Sequence, residues 1–534
     1  IIALHEQIQE YANVNKNWIV LMLHSSLSME EQDKVFDVPP EGVRKCIIST
    51  NIAETSVTID GIRFCIDSGK VKELTLDSTE KIQKLSEYWI SKASAEQRKG
   101  RAGRTGPGHC FRLYSKAEFD DFNDYAVPEI QRIPLESIIL QIKINNLGDP
   151  RDFPFIEKPS FTSIEESIEN LKQLEALLDD STDSMTALGS MLATLPVDVK
   201  IGKVLILGSL FHVLEPLLTI AAIFSVQSPF LRMAKEEQLS FRRRFVTSQG
   251  DVFTTLNLYD EWIRVKTEGR ENSKKWCRRH GVEEQRLYEI TKLSQQFREI
   301  LRECGVNFES DREEYEQNIF GQSLSKKKDI HRKQRQLQNL KKEHESNRGR
   351  KYLKMAEEEA GSDVDELDLK DLEFKLTQNV ESLMRASGQQ LKKKDLALVS
   401  FIVSSGLYPH ISICDEFNSN HTEADQMYHT AHKQFIAMHP SSVFCGNSQY
   451  INPNTDLLCY EKLLVTNKPY LTLVTKIPAL QSLLLIARSI DTNATLSHIV
   501  VDNWLLFEIE SEQAAYSLIS SMMHLRLSLR SVLN

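Results

Sequence analysis

The densest chemistry in the sequence is Gln97-Arg98-Lys99-Gly100-Arg101-Ala102-Gly103-Arg104. Its arginines recur at every third position. On a helix, positions i and i+3 share a face, so Arg98, Arg101 and Arg104 are predicted to form one guanidinium row. Gly100 and Gly103 leave the backbone between them bare, open to close approach by another surface. Guanidinium groups suit the charge on a phosphoryl group in transfer, because they are planar, always cationic and present forked donors. A solvated basic face is the alternative reading of such spacing. Upstream, Ser49-Thr50-Asn51, with Thr55 and Ser56 beyond, gathers short donors of the kind that hold phosphate oxygens of a nucleic-acid backbone. Thr50-Asn51 ahead of Ile-Ala-Glu is equally good helix-capping chemistry.

The elements that must position these residues read as alternating helix and strand. An amphipathic segment, Ile1–Ala12, precedes the apolar run Trp18–Leu23, a buried-strand signal. Lys45–Ile48 is a second strand and delivers Ser49-Thr50-Asn51; Ile62–Ile66 is a third and delivers Asp67-Ser68-Gly69. Strand, loop and helix in repetition predict a parallel sheet, and ligands of such sheets sit beyond the carboxyl ends of the strands. Val71–Leu76 alternates like a strand and opens a hairpin over Lys70–Tyr88.

Thr50-Asn-Ile-Ala-Glu-Thr-Ser-Val-Thr-Ile-Asp60 followed by Gln97-Arg-Lys-Gly-Arg-Ala-Gly-Arg-Thr-Gly-Pro-Gly108 resembles motifs V and VI of the DEAH-box/RHA helicases of superfamily 2. Ile66-Asp-Ser-Gly-Lys-Val-Lys-Glu73 and Asn272-Ser-Lys-Lys-Trp-Cys-Arg-Arg279 are similar to the DEAH-box subgroup linked to nonsense-mediated mRNA decay. The resemblance implies an ATP-dependent RNA helicase and a second RecA-like domain entered partway. It implies that Gln97, Arg101 and Arg104 act on the attacking water and the phosphates, with Arg98 also at the nucleotide. It places Thr58 and Asp60 near the ribose, Phe36 against adenine, and Ser49, Thr50, Asn51, Thr55 and Ser56 on the RNA backbone. Phe36 is otherwise a core phenylalanine. Ser68 and Lys70 depart from the commoner Asp-Pro-Gly-aromatic pattern. The Lys70–Tyr88 segment resembles the strand-parting hairpin of these enzymes.

Neither GxxxxGK[ST] nor Asp-Glu-x-His occurs: Gly69-Lys70 and Gly202-Lys203 both lead into valine, and Asp260-Glu261, Asp365-Glu366 and Asp415-Glu416 into other residues. A phosphate-cradling loop and a magnesium carboxylate box are therefore expected in a first RecA-like domain outside this sequence, together with the Mg2+ ligands. The chain, which opens on Ile1, is expected to start inside a longer protein and to be inactive alone.

Further along, 131–195 reads as a small helical module, with a capping box at Ser163-x-x-Glu166, and Ser184–Leu192 resembles the winged-helix element of the family. Within 196–310, Val204–Phe211 and Leu214–Val226 are apolar nearly all round and so buried, and Asp251–Val265 is amphipathic around Trp262. Asn272–His280 interleaves Trp276 with basic residues, as nucleic-acid surfaces do; a core tryptophan on a basic-faced helix is the alternative. The block resembles the ratchet-like helical domain. The charge blocks of 311–395 predict a solvated insertion. Short strands at Ala397–Val403, Leu407–Ile413, Phe435–Met438, Leu463–Val465 and Tyr470–Lys476 predict a small barrel, and 396–490 resembles the OB-fold of these helicases. A further 491–534 ends in an amphipathic helix over Met522–Leu533.

The expected fold is therefore multi-domain, α/β plus α plus β. A partial RecA-like parallel-sheet domain (1–130) leads into a winged helix (131–195), a helical ratchet-like bundle (196–310), the charged insertion, an OB-fold barrel (396–490) and the carboxyl-terminal extension. Length agrees, 534 residues being roughly three or four domains at ~100–200 each. A net charge of −10 argues against a uniformly basic nucleic-acid binder, so local patches must do the work. Eight cysteines without a Cys-x-x-Cys pair point to reduced thiols, hence cytoplasm or nucleus, and to no metal site. His421, His429, His432 and His439 fit no common zinc spacing. No run of about 18 apolar residues suggests a membrane span. Expected cofactors are ATP and Mg2+. Expected partners are RNA and, by the resemblance, proteins of an RNP or mRNA surveillance complex. A non-catalytic RNA- or protein-binding scaffold is the alternative.

Overall fold

The computed structural model describes residues 1–305 and 391–533, apart from 25–26, 28–31, 56–57, 78–81, 232–241, 243, 269–270, 421–425, 446–447, 453–454, 467, 479 and 510. Of the charged insertion 311–395, residues 311–390 lie outside the described residues, as does His421, while Lys393–Asp395 open a helix. The chain divides into two compact units.

The described part of the first unit is Ile1–Glu73 with Ser86–Val127. Helix α1 (Ile2–Asn15) packs on β1 (Trp18–Leu23), which pairs in parallel with β2 (Arg44–Ser49), Val20 opposite Cys46. Ala12, Val20 and Ile48 form the core between them. The four-residue helix α2 (Ile52–Thr55) follows β2. Strand β3 (Phe64–Asp67) does not join β1 and β2 in one sheet as expected; its hydrogen-bonded partner is β6 (His109–Arg112), parallel, with Ile66 opposite Phe111. One face of that pair, with Phe64, Ile66 and Phe111, is open to solvent. Between them lie the hairpin β4 (Lys70–Asp77) and β5 (Ile82–Trp89), and helix α3 (Lys92–Arg101), started by the Ser91 hydroxyl accepting from Ser94 N–H at 3.1 Å. Helix α4 (Lys116–Asp121) opens with a reciprocal capping box between Ser115 and Glu118. Ile90, Ala95 and Phe122 make a second small core, with Tyr114 and Phe119 against it.

The second unit takes in Leu74–Leu85, 128–305 and 391–533. It begins with α5 (Glu136–Ile144), α6 (Phe161–Gln173) and α7 (Ala187–Thr194). The cap of α6 is Ser160 rather than Ser163, because the Ser160 hydroxyl is the one that accepts from Ser163 N–H, at 3.1 Å. Next come α8 (Val199–Leu210), α9 (Leu214–Ser225), α10 (Asp251–Glu268), α11 (Ser273–Arg279) and α12 (Glu284–Glu303). Helices α8 and α9 are buried over most of their surfaces, as their all-round apolarity requires.

The segment read as a strand at Ala397–Val403 is instead helix α13 (Lys393–Leu407). It packs tightly on α8: a Cβ at Gly406 would lie 2.3 Å from Val204 Cγ2 and 3.1 Å from the Lys200 carbonyl. Burial from Val399 to Leu407 erases any amphipathic period, so its β-branched run imitates a buried strand. The β-structure follows as β7 (Ile411–Cys414), β8 (Met427–Thr430), β9 (Ile436–Met438), β10 (Leu458–Cys459), β11 (Lys462–Val465), β12 (Pro469–Thr472) and β13 (Thr475–Lys476). Their order is β13-β10-β7-β8-β9-β12-β11, around a core of Tyr428, Ile436, Phe444, Leu458, Leu471 and Val474. β11 also pairs in parallel with the hairpin strand β5, Leu464 opposite Gln83 and Val465 opposite Lys84.

Helix α14 (Leu480–Ile486) leads to an antiparallel sheet of β14 (Ile490–Thr492), β15 (His498–Val501) and β16 (Leu505–Glu508). The final helix α15 (Glu512–Leu533) is longer than expected and holds buried Arg526, which donates to the carbonyls of Leu484 and Arg488, both at 3.0 Å. Among the described residues no helix is long and apolar enough to cross a membrane.

Candidate nucleotide and nucleic-acid site

Phe36 closes a short 3₁₀ turn, Lys34–Phe36. Its neighbour Val35 is wholly buried while Phe36 is half exposed, so the turn presents the ring instead of packing it. The ammonium of Lys45, on β2, fixes the turn by donating to the carbonyls of Val35 at 2.8 Å and Asp37 at 2.9 Å. Burial pulls the Lys45 pKa down, against the opposing charges of Asp37 and Asp60. Lys45 was not singled out in the sequence; it lies within the electrostatic reach of two expected site segments.

Beyond β2, the Ser49 hydroxyl lies 3.1 Å from the Leu23 carbonyl and 2.9 Å from that of Thr50, and Thr50 N–H donates to Leu23 at 3.2 Å. These bonds join the loop to the end of β1 and leave the Thr50 and Asn51 side chains exposed. Thr55 ends α2 on the exposed side. Ser56 lies outside the described residues.

Thr58 and Asp60 are exposed on the following loop. Arg104 reaches this loop through a short hydrogen bond from its guanidinium to the Thr58 hydroxyl, and Gly61 N–H donates to Thr105 Oγ1 at 3.3 Å. The two sequence motifs therefore meet at Thr58 and Arg104.

The expected row of three arginines does not form. Helix α3 stops at Arg101; Ala102 is its cap, and Gly103 N–H turns back to the Gly100 carbonyl at 3.3 Å, so Arg104 lies past the helix. Glycine at position 100 weakens the last turn. Arg101 and Arg104 remain neighbours: burial first, then the charge of Arg104, lowers the Arg101 pKa. Two cationic guanidiniums, one of them on a threonine hydroxyl, are chemistry that can hold a polyanion through forked donors. Gln97 is exposed on α3.

Arg98, expected at the nucleotide, is engaged elsewhere. Its Nε donates to Glu54 at 2.9 Å and its Nη1 to Asp67 at 2.9 Å and to the Lys70 carbonyl at 3.2 Å. Two carboxylates hold its charge inward, so it is not placed to receive a phosphate. Glu54 and Tyr114, which complete this cluster, were missed in the sequence because their partners are far away in the chain. Lys99 and Arg112 both bind Glu96, at 2.7 and 2.6 Å, and those bonds lower its pKa.

Trp276 resolves in favour of the core reading. It is 2 % exposed, edge-on to Phe245 at 5.9 Å and beside His280 at 4.6 Å, so it offers no face to a base. Of the histidines, His429 binds Asp415 at 2.7 Å and His439 lies 2.6 Å from Ser441 Oγ. Among the described residues no group of three or more His, Cys, Asp or Glu could hold a metal ion.

Three stretches match family descriptions: residues 2–106 the helicase conserved C-terminal domain, 198–281 the helicase associated domain (HA2), ratchet-like, and 399–490 the oligonucleotide/oligosaccharide-binding (OB)-fold. Over 573 residues the chain is 46% identical to Probable ATP-dependent RNA helicase DHX34 of Homo sapiens, which covers 100% of this chain and 49% of that protein. Along its whole length the chain is thus similar to part of an ATP-dependent RNA helicase. The Mus musculus protein of the same name is 46% identical over 98% of the chain and 48% of its own length. ATP-dependent DNA/RNA helicase DHX36 of Bos taurus is 40% identical over 57% of the chain and 30% of its length. The chain thus spans about half the length of the DHX34 relatives it matches. These DEAH-box matches favour a helicase portion over the non-catalytic scaffold.

Proposed function

We propose that this chain supplies one wall of an ATP site and part of an RNA track in an ATP-dependent RNA helicase, with hydrolysis coupled to RNA translocation, unwinding or RNP remodelling. The observation that carries the reading is the meeting of the two motifs: Arg104 on Thr58, with Arg101 beside it. Arg101 and Arg104 are the residues for the phosphates, Phe36 for the adenine face, and Thr58 and Asp60 for the ribose. Gln97 positions water at the exposed side of α3. Ser49, Thr50, Asn51, Thr55 and Ser56 contact the RNA backbone. ATP, when bound, supplies the phosphoanhydride whose cleavage drives the cycle. Mg2+ would take its ligands from the first RecA-like domain that the motif resemblance implies, and would bridge charge on the phosphates.

Residues 1–130 are read as part of a RecA-like domain, which the parallel pairs β1–β2 and β3–β6 support. Residues 131–195 are read as a winged-helix hub, supported by α5, α6 and α7 and by the absence of a basic recognition helix among them. A role in mRNA surveillance with protein cofactors rests on the motif resemblance, and a place in cytoplasm or nucleus on the cysteines without a Cys-x-x-Cys pair.

The test is RNA-stimulated ATP hydrolysis by the natural-length protein carrying this chain. Arg101→Ala is expected to lower turnover about a thousandfold, the scale of an arginine finger, and unchanged turnover would overturn the assignment.

A further inference from the structure

Arg98 joins three segments that belong to different parts of the proposed machinery. Glu54 is on α2, in the loop that follows the Ser49–Asn51 donors. Asp67 ends β3. Lys70, whose carbonyl Arg98 also holds, is the first residue of the hairpin strand β4. Arg98 itself is one helical turn ahead of Arg101 on α3.

The cluster is enclosed and saturated. The Asp67 side chain is 0 % exposed, and those of Glu54 and Arg98 only 12 and 14 %. Asp67 accepts Arg98 and Gly69 N–H (3.0 Å) on one oxygen and the Tyr114 hydroxyl (2.8 Å) on the other. Gly69, at φ +71°, returns its carbonyl to Ile90 N–H at 3.0 Å and so closes the base of the hairpin. No side chain fits at Gly69, where a Cβ would lie 2.6 Å from the Tyr114 ring and 3.0 Å from Trp89. Lys70 then places its ammonium 3.2 Å from the Trp89 ring centroid. A buried carboxylate deprived of its partner is costly. A displacement of α3 that drew Arg98 away from Glu54 and Asp67 would leave two carboxylates to that cost, so the α2 loop and the hairpin base must follow.

We propose that Arg98 is a positioning residue that transmits movement of α3 to the RNA-facing loop and to the root of the β4–β5 hairpin, without touching nucleotide. This rests on the helicase reading above. The guanidinium fork is required, because lysine is a point charge that cannot serve two carboxylates and a carbonyl at fixed angles.

Two measurements test it. In the natural-length protein, Arg98→Gln is expected to leave kcat and KM for ATP within about threefold while duplex unwinding per ATP falls about tenfold; Arg98→Lys recovers only part of the loss. A tenfold rise in KM for ATP, or hydrolysis and unwinding falling in equal proportion, overturns the proposal. In this chain alone, the Arg98→Gln variant is expected to unfold at a lower midpoint and, beyond that global effect, to exchange about tenfold faster at 52–55, 68–71 and 90 than at the amides of β1 and β2. Arg101→Ala should leave those amides alone. Unchanged exchange at 52–55, or at 68–71 and 90, overturns the proposal even where no ATP hydrolysis is found, an outcome that by itself would count against the helicase reading and not against the coupling.

Discussion

Asp67 in the first unit and Asp251 in the second are both buried carboxylates on which separate segments converge, yet their partners differ in kind. Asp67 receives a guanidinium, a phenol and one backbone N–H. Asp251, the first residue of α10, receives the N–H groups of Val443 (2.7 Å) and Val474 (2.8 Å) and the Ser442 hydroxyl (2.9 Å). Arg242 lies near but directs its Nη1 to the Ser441 carbonyl at 2.7 Å. Gly250, at φ +119°, lets the helix start lie so close to β-structure that a Cβ would stand 2.3 Å from the Val474 carbonyl. Burial dominates at Asp251 and raises its pKa to about 6, with the three donors and Arg242 pulling the other way. The difference separates two uses of a buried acid. A carboxylate bound by side chains from several loops makes a tie that moves with them, whereas one bound mainly by backbone N–H groups makes a fixed rivet, here between the ratchet-like helices and the OB-fold.

The contrast breaks most visibly at the rivet. Asp251→Ala leaves two backbone N–H groups and a hydroxyl buried without partners, and is expected to cost about 3 kcal/mol or more of unfolding free energy. Denaturant titration measures it, and a loss under 1 kcal/mol would mean the contact is incidental.

A pH series sharpens the same point. The folded carboxyl titrates near 6 and the unfolded one near 3.8, so between those values the folded chain holds a proton that the unfolded chain has released. The contribution of this group is full below the unfolded pKa and declines as pH rises to about 6, by about 2–3 kcal/mol. Asp251→Asn, though destabilised itself, should lose that slope; an unaltered slope assigns it to other groups.

The smallest change is expected at the tie. Tyr114→Phe removes one of three donors from Asp67 and leaves the charged one in place, so the expected loss is about 1 kcal/mol. A loss as large as that of Asp251→Ala would erase the distinction between the two aspartates.

Much of this architecture was legible because it is local. The run Trp18–Leu23 is a strand over the expected residues, and the apolar stretches after Val199 and Leu214 are buried helices. Both site motifs were visible as words. Their three-dimensional grammar was not: Arg98 finds Glu54 across 44 positions and Asp67 across 31, and no period in the sequence encodes such a meeting. Spacing put three arginines on one face, but the helix ended at the second, and the first turned inward toward acids. Trp276 failed as a base-stacking platform for the same reason, since its basic neighbours are surface and its ring is core. Ala397–Val403 failed because a helix buried all round leaves no 3.6-residue signature to distinguish it from a strand.

In the proposed reading Arg104, held at Thr58, serves the phosphates of ATP with Arg101, while Arg98 serves the fold around them. RNA-stimulated ATP turnover of the natural-length protein carrying Arg104→Ala tests it most directly. Turnover is expected to fall about a thousandfold with RNA affinity within about twofold, and turnover equal to that of the unsubstituted protein would remove Arg104 from the phosphate site.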